Sequence, residues 1–173
     1  MNTRIRIRPI DPACEREVSH IARNMRETLI EVLGAETGAA MYSLEWLVQR
    51  VLWHCDPAKC TGEVLLAVHD EVGIVGHTIV RIECENGVDV GLFSTTYVPP
   101  AWRRQGVASA LLAHGESWML EHQLAEAVTY TDHQNDRLIA LYRGFGYALQ
   151  PMPDNFVRLH RALTSPEPRM RDT

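Results

Sequence analysis

Val98-Pro99-Pro100-Ala101-Trp102-Arg103-Arg104-Gln105-Gly106-Val107-Ala108 joins a β-rich stretch to an amphipathic helical one. Pro99-Pro100 stops the strand before it. Gly106 and Ala108 carry little side-chain bulk, so backbone N–H groups there can approach a ligand closely. The helix that follows points the positive end of its dipole at the same place, and Arg103 and Arg104 add two permanent cations. A loop of this kind is a receptor shaped for a pyrophosphate.

Working outward, the apolar positions Val107, Leu111, Leu112, Gly115, Trp118 and Met119 give that helix one buried face. Upstream, Glu63 to His69, Ile74 to Cys84 and Val88 to Val98 read as three strands with short turns, and Asn86-Gly87 is the signal of a tight hairpin. They form an antiparallel meander. Downstream come a strand over Ala125 to Thr131, a helix from Asn135 to about Gly144 burying Leu138, Leu141 and Tyr142, and terminal strands at Gly146-Tyr147 and Asn155 to Leu163.

The N-terminal part begins with a period-two strand over Thr3 to Ile10, in which Ile5 and Ile7 alternate with Arg4, Arg6 and Arg8. Asp11-Pro12 reads as the cap and first turn of a helix carrying Val18, Ile21, Ala22, Met25, Leu29, Val32 and Leu33 and ending near Gly34. A connection through Gly38 leads to a second helix, from Ser43 to Asp56-Pro57. The expected order is β-α-α-β-β-β-α-β-α-β-β, a single α/β (α+β) domain with a mixed, mostly antiparallel central sheet flanked by helices. Residues 1–164 are expected to form it, and 165–173, with two prolines and alternating charges, a flexible tail.

The chain has 173 residues, 46% of them hydrophobic and 23% charged, which suits one soluble domain with a substantial core. No apolar run approaches the roughly 20 residues of a membrane helix, and the N-terminus lacks a signal-peptide core, so a cytoplasmic protein without a membrane partner is expected. The net charge of −5 argues against nucleic acid as a partner and mildly favours cationic acceptors such as amines. The four cysteines have no CxxC spacing; His54, Cys55 and Cys60 lie close together, but no second ligand pair accompanies them, so no metal site is expected.

Asn135-Asp136-Arg137-Leu138-Ile139-Ala140-Leu141-Tyr142 supplies the second constellation. Seven helical residues make about two turns, so Asn135 and Tyr142 project from one face roughly 10 Å apart and can line one groove. Together with the first loop, and with Gly146-Tyr147 following, these residues resemble the GNAT superfamily of acyl-CoA-dependent N-acyltransferases. Its cofactor loop, [R/Q]-x-x-G-x-[G/A], is matched by Arg103, Gly106 and Ala108, and its V-x-P strand ending by Val98-Pro99-Pro100. The resemblance runs from about Arg4 to Leu163.

This resemblance implies transfer of an acetyl group from acetyl-CoA to a primary amine by direct attack in a ternary complex. The backbone from Arg103 through Arg104, Gln105, Gly106 and Val107 to Ala108 would hold the pyrophosphate, and the strand backbone near Thr96 and Val98 would hydrogen bond the pantetheine arm. Asn135 would touch that arm, and Tyr142 would bind cofactor and protonate the departing thiolate. The phenol suits that role, since its ordinary pKa of about 10 is near that of an alkyl thiol.

The sequence departs from the family in one respect: many members carry a glutamate in the strand before V-x-P, whereas Leu92-Phe93-Ser94-Thr95-Thr96-Tyr97 has no carboxylate. His77 and Glu83, on one strand face, and His133 are candidate bases, Ser94 could position a water, and the base stays unassigned. The acceptor, small molecule or peptide, is unspecified by Met41, Tyr42, Trp46, Trp53 and His54, which supply apolar surface in the region of the first two helices. A homodimer is compatible with the sequence. The alternatives are a GNAT-like CoA-binding or regulatory domain with little turnover, which the missing carboxylate keeps open, and a nucleotide-binding domain, which lacks the expected G-x-G-x-x-G or Walker lysine pattern.

Overall fold

In a computed structural model describing residues 5–164, the N-terminal alternation forms strand β1 (Ile5–Pro9), antiparallel to β2 (Gly62–His69). The tail expected at 165–173 lies outside the described residues. β2 continues into β3 (Gly73–Glu85) and β4 (Val88–Tyr97) as the expected meander, and the β3–β4 turn places Asn86 (φ 50°) and Gly87 (φ 82°) in the left-handed region that a two-residue hairpin turn needs. β5 (Glu126–Asp132), β6 (Ala148–Pro151) and β7 (Phe156–Ala162) complete a seven-stranded sheet of order β1-β2-β3-β4-β5-β7-β6.

Three helices, not two, precede β2: α1 (Glu15–Leu33), α2 (Ala35–Met41) and α3 (Leu44–Cys55). The segment read as a connection is the short helix α2. Gly38 masked it, because glycine lowers helix propensity; here it lets α2 lie against α1 so closely that a Cβ would meet the Leu29 and Ile30 backbone. Asp11-Pro12 forms a turn before α1 and does not cap it: Asp11 accepts from Ala13 N–H (3.0 Å), and Cys14 occupies the cap position without a side-chain bond. Ser43 does cap α3, accepting from Trp46 N–H (3.1 Å).

Helices cover both faces of the sheet. α1 and α3 bury Ile21 and Val51 against Val64, Leu66 and Ile79, while α4 (Val107–Glu121) and α5 (Asp136–Gly144) bury Leu112, Met119 and Tyr142 against Val80, Phe93 and Leu159. α4 approaches the sheet through Gly115, where a Cβ would overlap the Phe93 ring.

Two irregularities make room for a ligand. β4 and β5, the one parallel pair among the described strands, are in register only at Gly91–Ala127 and Leu92–Val128; beyond these they separate, leaving a wedge between strand ends that run on to Tyr97 and Asp132. The β3–β4 register also shifts, from Val80–Phe93 to Ile79–Thr95, so that Ser94 is an extra, exposed residue bulged out of β4 beside the opening.

Candidate active site

The wedge opens into a cleft of about 740 Å³, floored by Thr96, Tyr97 and Val98 of β4. Of the residues expected to contact cofactor, Thr96, Val98, Arg103, Arg104, Gly106, Val107, Ala108 and Asn135 line it. Gln105 does not; its amide donates to Ala101 O (2.9 Å) and braces the loop from outside.

The loop reaches α4 through left-handed residues at Arg104 (φ 59°) and Gly106 (φ 81°). Ala110 is the first residue of α4 whose N–H bonds back to a backbone carbonyl, that of Gly106 (3.0 Å). The N–H groups of Val107, Ala108 and Ser109 belong to the helix's unsatisfied first turn and line the cleft, an arrangement suited to an anion.

The two arginines divide their work. Arg104 is exposed at the cleft, where its charge is available to an anionic ligand. Arg103 lies inward: Nε donates to Val98 O (2.8 Å), Nη2 to Glu31 (2.6 Å), and the guanidinium sits 5.8 Å from the Tyr97 ring centre. Glu31 of α1 also accepts from Arg137 of α5 (2.7 Å), so one carboxylate ties α1 to both walls of the cleft. Sequence reasoning missed Glu31 and Arg137, because α1 is separated from the loop by about 70 residues and no local pattern links them.

Asn135 caps α5, accepting from Leu138 N–H (3.3 Å) and donating to Thr131 (3.0 Å). Tyr142, two turns on, is fully buried and does not line the cleft; its hydroxyl meets Thr96 Oγ1 (3.2 Å) from the core side. Thr96 Oγ1 is 2.8 Å from Thr78 Oγ1, which donates to Thr95 O (3.0 Å). With Thr78's proton so committed, Thr96 donates to Thr78 and accepts from Tyr142, giving one consistent chain from phenol to cleft wall. Burial pushes the phenol's pKa well above its ordinary value against the smaller opposing effect of Thr96 and Thr129, so Tyr142 holds its proton at neutral pH, and the match to an alkyl thiol expected of an unperturbed phenol is lost.

The candidate bases are scattered. His77 is fully buried under α1, neither ring nitrogen has a partner among the described residues, and burial lowers its pKa to about 3. Glu83 is paired with Arg81 Nε (2.9 Å), and His133 Nδ1 is exposed, 3.0 Å from Asn155 O. Beside the bulge stands a cation: Arg81 Nη1 donates to Ser94 Oγ (3.3 Å) and to His54 Nε2 (3.0 Å). His54 is neutral, its pKa lowered by burial to about 4, and its Nδ1 bonds Arg50 O (2.8 Å). Among the described residues no three His, Cys, Asp or Glu side chains are grouped to hold a metal, and no helix is long and apolar enough to cross a membrane.

A wedge between parallel strands, floored by a strand edge and closed by a helix N-terminus, is now joined by a match over most of the chain: the sequence model of the acetyltransferase (GNAT) family covers residues 24–147. The chain belongs to the GNAT family. The match spans the loop, Asn135 and Tyr142, and stops at Tyr147. Comparison with curated proteins gives no match. Solved structures share the GNAT fold. PaiA N-acetyltransferase from Thermoplasma acidophilum, in complex with coenzyme A, is 16% identical, with a TM-score of 0.73 over 92% of this chain and 99% of that one. A chain of the NatC complex bound to Gag peptide and CoA is 18% identical (TM-score 0.71, 92% and 99% covered), and an acetyltransferase from Thermus thermophilus is 13% identical (0.71, 92% and 97%).

Proposed function

We propose that this GNAT chain transfers an acetyl group from acetyl-CoA to a primary amine, in a ternary complex without a covalent intermediate. The observation that supports this best is the continuity of the cleft: the free N–H groups at the start of α4, the open edge of β4 and Thr96, with Tyr142 behind it, follow one wedge in the order in which pyrophosphate, pantetheine and thioester follow one another in acetyl-CoA. Two neighbours whose structures contain CoA have the same fold.

In this reading the pyrophosphate rests on the N–H groups of Val107, Ala108 and Ser109, with Arg104 alongside. The pantetheine amides extend β4 as an added strand at Thr96 and Val98. A neutral amine nitrogen attacks the thioester carbonyl carbon and the C–S bond breaks; Thr96, which lines the cleft, turns its hydroxyl proton from Thr78 to the departing sulfur and takes the Tyr142 proton in its place, leaving the charge on the buried phenol until solvent protons restore it. The amine's surplus proton leaves to solvent by way of water at Ser94; the groups nearest that bulge, His54 and Glu83, are both held by Arg81. The acceptor is a small molecule or a peptide. Its amine must therefore arrive largely uncharged, and the rate should rise with pH toward the amine's own pKa.

Thiol release from acetyl-CoA across a panel of amines tests this. Turnover with at least one amine, and mass-spectrometric acetylation of that amine, is the expected result. CoA binding with no turnover on any amine would favour a binding or regulatory domain instead.

A further inference from the structure

The acceptor side of the bulge is basic in a molecule that is acidic overall. Arg81 projects from β3 with its guanidinium fixed by three partners: Glu83, His54 and Ser94. Arg50 comes from α3 and lies over the Trp53 ring, 4.2 Å from its centre, while Arg81 is 5.7 Å from the same centre. The two guanidinium carbons are therefore within about 10 Å of each other. Glu83 is the one carboxylate in an ion pair with either of them among the described residues, and it is itself 41% exposed.

Such an arrangement is costly in an empty protein. Two like charges near one indole repel, and the loss of water around Arg50, with the neighbouring Arg81 a further cause, works against its charged form. His54 contributes no charge but locks Arg81 in place: its Nδ1 is committed to the Arg50 carbonyl, leaving Nε2 to accept from Arg81. A rigid guanidinium beside a second one, both against an aromatic wall, is how proteins bind a carboxylate or phosphate with two or more charge-assisted hydrogen bonds. Its position matters as much as its charge. Arg81 touches Ser94, and two residues along a strand span about 7 Å, so its guanidinium stands about one small molecule's length from Thr96 and the cleft.

We propose that Arg50 and Arg81 form the anion-binding half of the acceptor site, so that the acceptor is an amine that also carries a carboxylate or phosphate group. This rests on the acetyl-transfer reading above and deepens it. The anionic group docks between the two guanidiniums against Trp53, and the amine on the same molecule is thereby aimed past Ser94 at the thioester. Overall acidity, which favours cationic partners in general, is locally reversed where the acceptor's second group must bind.

The test uses amines in pairs with and without the anion, α-amino acids against their carboxamides and phosphoethanolamine against ethanolamine, with kcat/KM expressed per uncharged amine because the anion also raises the amine's pKa. The expected result is a kcat/KM at least about tenfold higher for the anionic member of one pair, carried mainly by KM, as a charge-assisted contact made equally in ground and transition states requires. Which pair shows it distinguishes carboxylate from phosphate. In Arg50→Gln the anionic-to-neutral ratio should fall toward one. Equal turnover of both members, or a ratio that Arg50→Gln leaves untouched, overturns the inference while acetyl transfer stands. Should no amine be acetylated, the transfer reading fails, and the receptor is judged by calorimetry on CoA-loaded protein with the N-acetyl derivatives of the same pairs. Preferential binding of the anionic derivative, lost in Arg50→Gln, sustains it; indifferent binding overturns it.

Discussion

The proton donor proposed for the departing thiolate, Tyr142, is closed to solvent. Its hydroxyl reaches the cleft wall only through Thr96, and Thr96 keeps its bond to Thr78 whether or not the phenol is present. Tyr142→Phe is therefore expected to lose about 1 kcal/mol of stability or less in urea unfolding, while thiol release slows by at least about tenfold with KM for acetyl-CoA nearly unchanged. Equal turnover in the two proteins would remove Tyr142 from the acid role. His77 and His54 make a different prediction, about pH. Both are buried neutral, with pKa values lowered to about 3 and about 4, whereas in the unfolded chain each titrates near 6.5. Below pH 6.5 the unfolded state binds the extra protons, so stability is fully present above that value and falls as pH drops, by up to about 1.4 kcal/mol per pH unit for each histidine. His77→Leu should flatten the fall in denaturation midpoint between pH 7 and pH 5. An unchanged slope would mean that His77 finds a partner when protonated. His77 reads from sequence as one candidate base among others; its burial beneath α1 depends on how α1 docks, which no local pattern encodes.

At the scale of elements, what was legible is what short-range chemistry determines. The Asn86-Gly87 hairpin, the strand stop at Pro99-Pro100 and the Gly106 entry into α4 follow from φ requirements and missing donors, and they lie where the sequence places them. α2 was hidden by Gly38, whose role is contact with α1, a tertiary demand that reads locally as a break. Gly115 shows the same logic on α4. Gly115→Ala forces a methyl into the Phe93 ring and is expected to cost about 1–3 kcal/mol in thermal or urea unfolding; a neutral substitution would show that α4 can lift from the sheet freely. Glu31 is the element-scale feature that sequence could not reveal, since it binds Arg103 and Arg137 from far away in the chain. Its carboxylate occupies two of the three guanidiniums that line the cleft and opposes an incoming phosphate. Glu31→Gln should tighten CoA binding severalfold, more so at low salt, as seen by calorimetry; weaker binding would show that Glu31 instead holds the arginines in their binding positions.

For the whole molecule, the sheet order, the splayed β4–β5 pair and the family match agree on a GNAT domain, and the acidic net charge coexists with a basic patch at Arg50 and Arg81. The donor half of the site was readable because a phosphate receptor is built from contiguous backbone, so its residues sit together in sequence. The proposed acceptor half draws on α3, β3 and the β4 bulge, and side chains gathered from three elements leave no motif. Whether the cleft at Gly106 receives CoA can be tested at Gly106 itself, because its left-handed φ of 81° is one that asparagine and aspartate adopt more readily than other side chains, and the two differ there mainly in charge. Titration calorimetry of acetyl-CoA into wild type, Gly106→Asn and Gly106→Asp is the most direct measurement. Expected are one site per chain in wild type, no comparable binding of NAD or ATP, and an affinity for Gly106→Asp at least about tenfold below that for Gly106→Asn, since a carboxylate would stand near the pyrophosphate. Equal affinities in the two variants, or binding of NAD without CoA, would contradict CoA binding at Gly106.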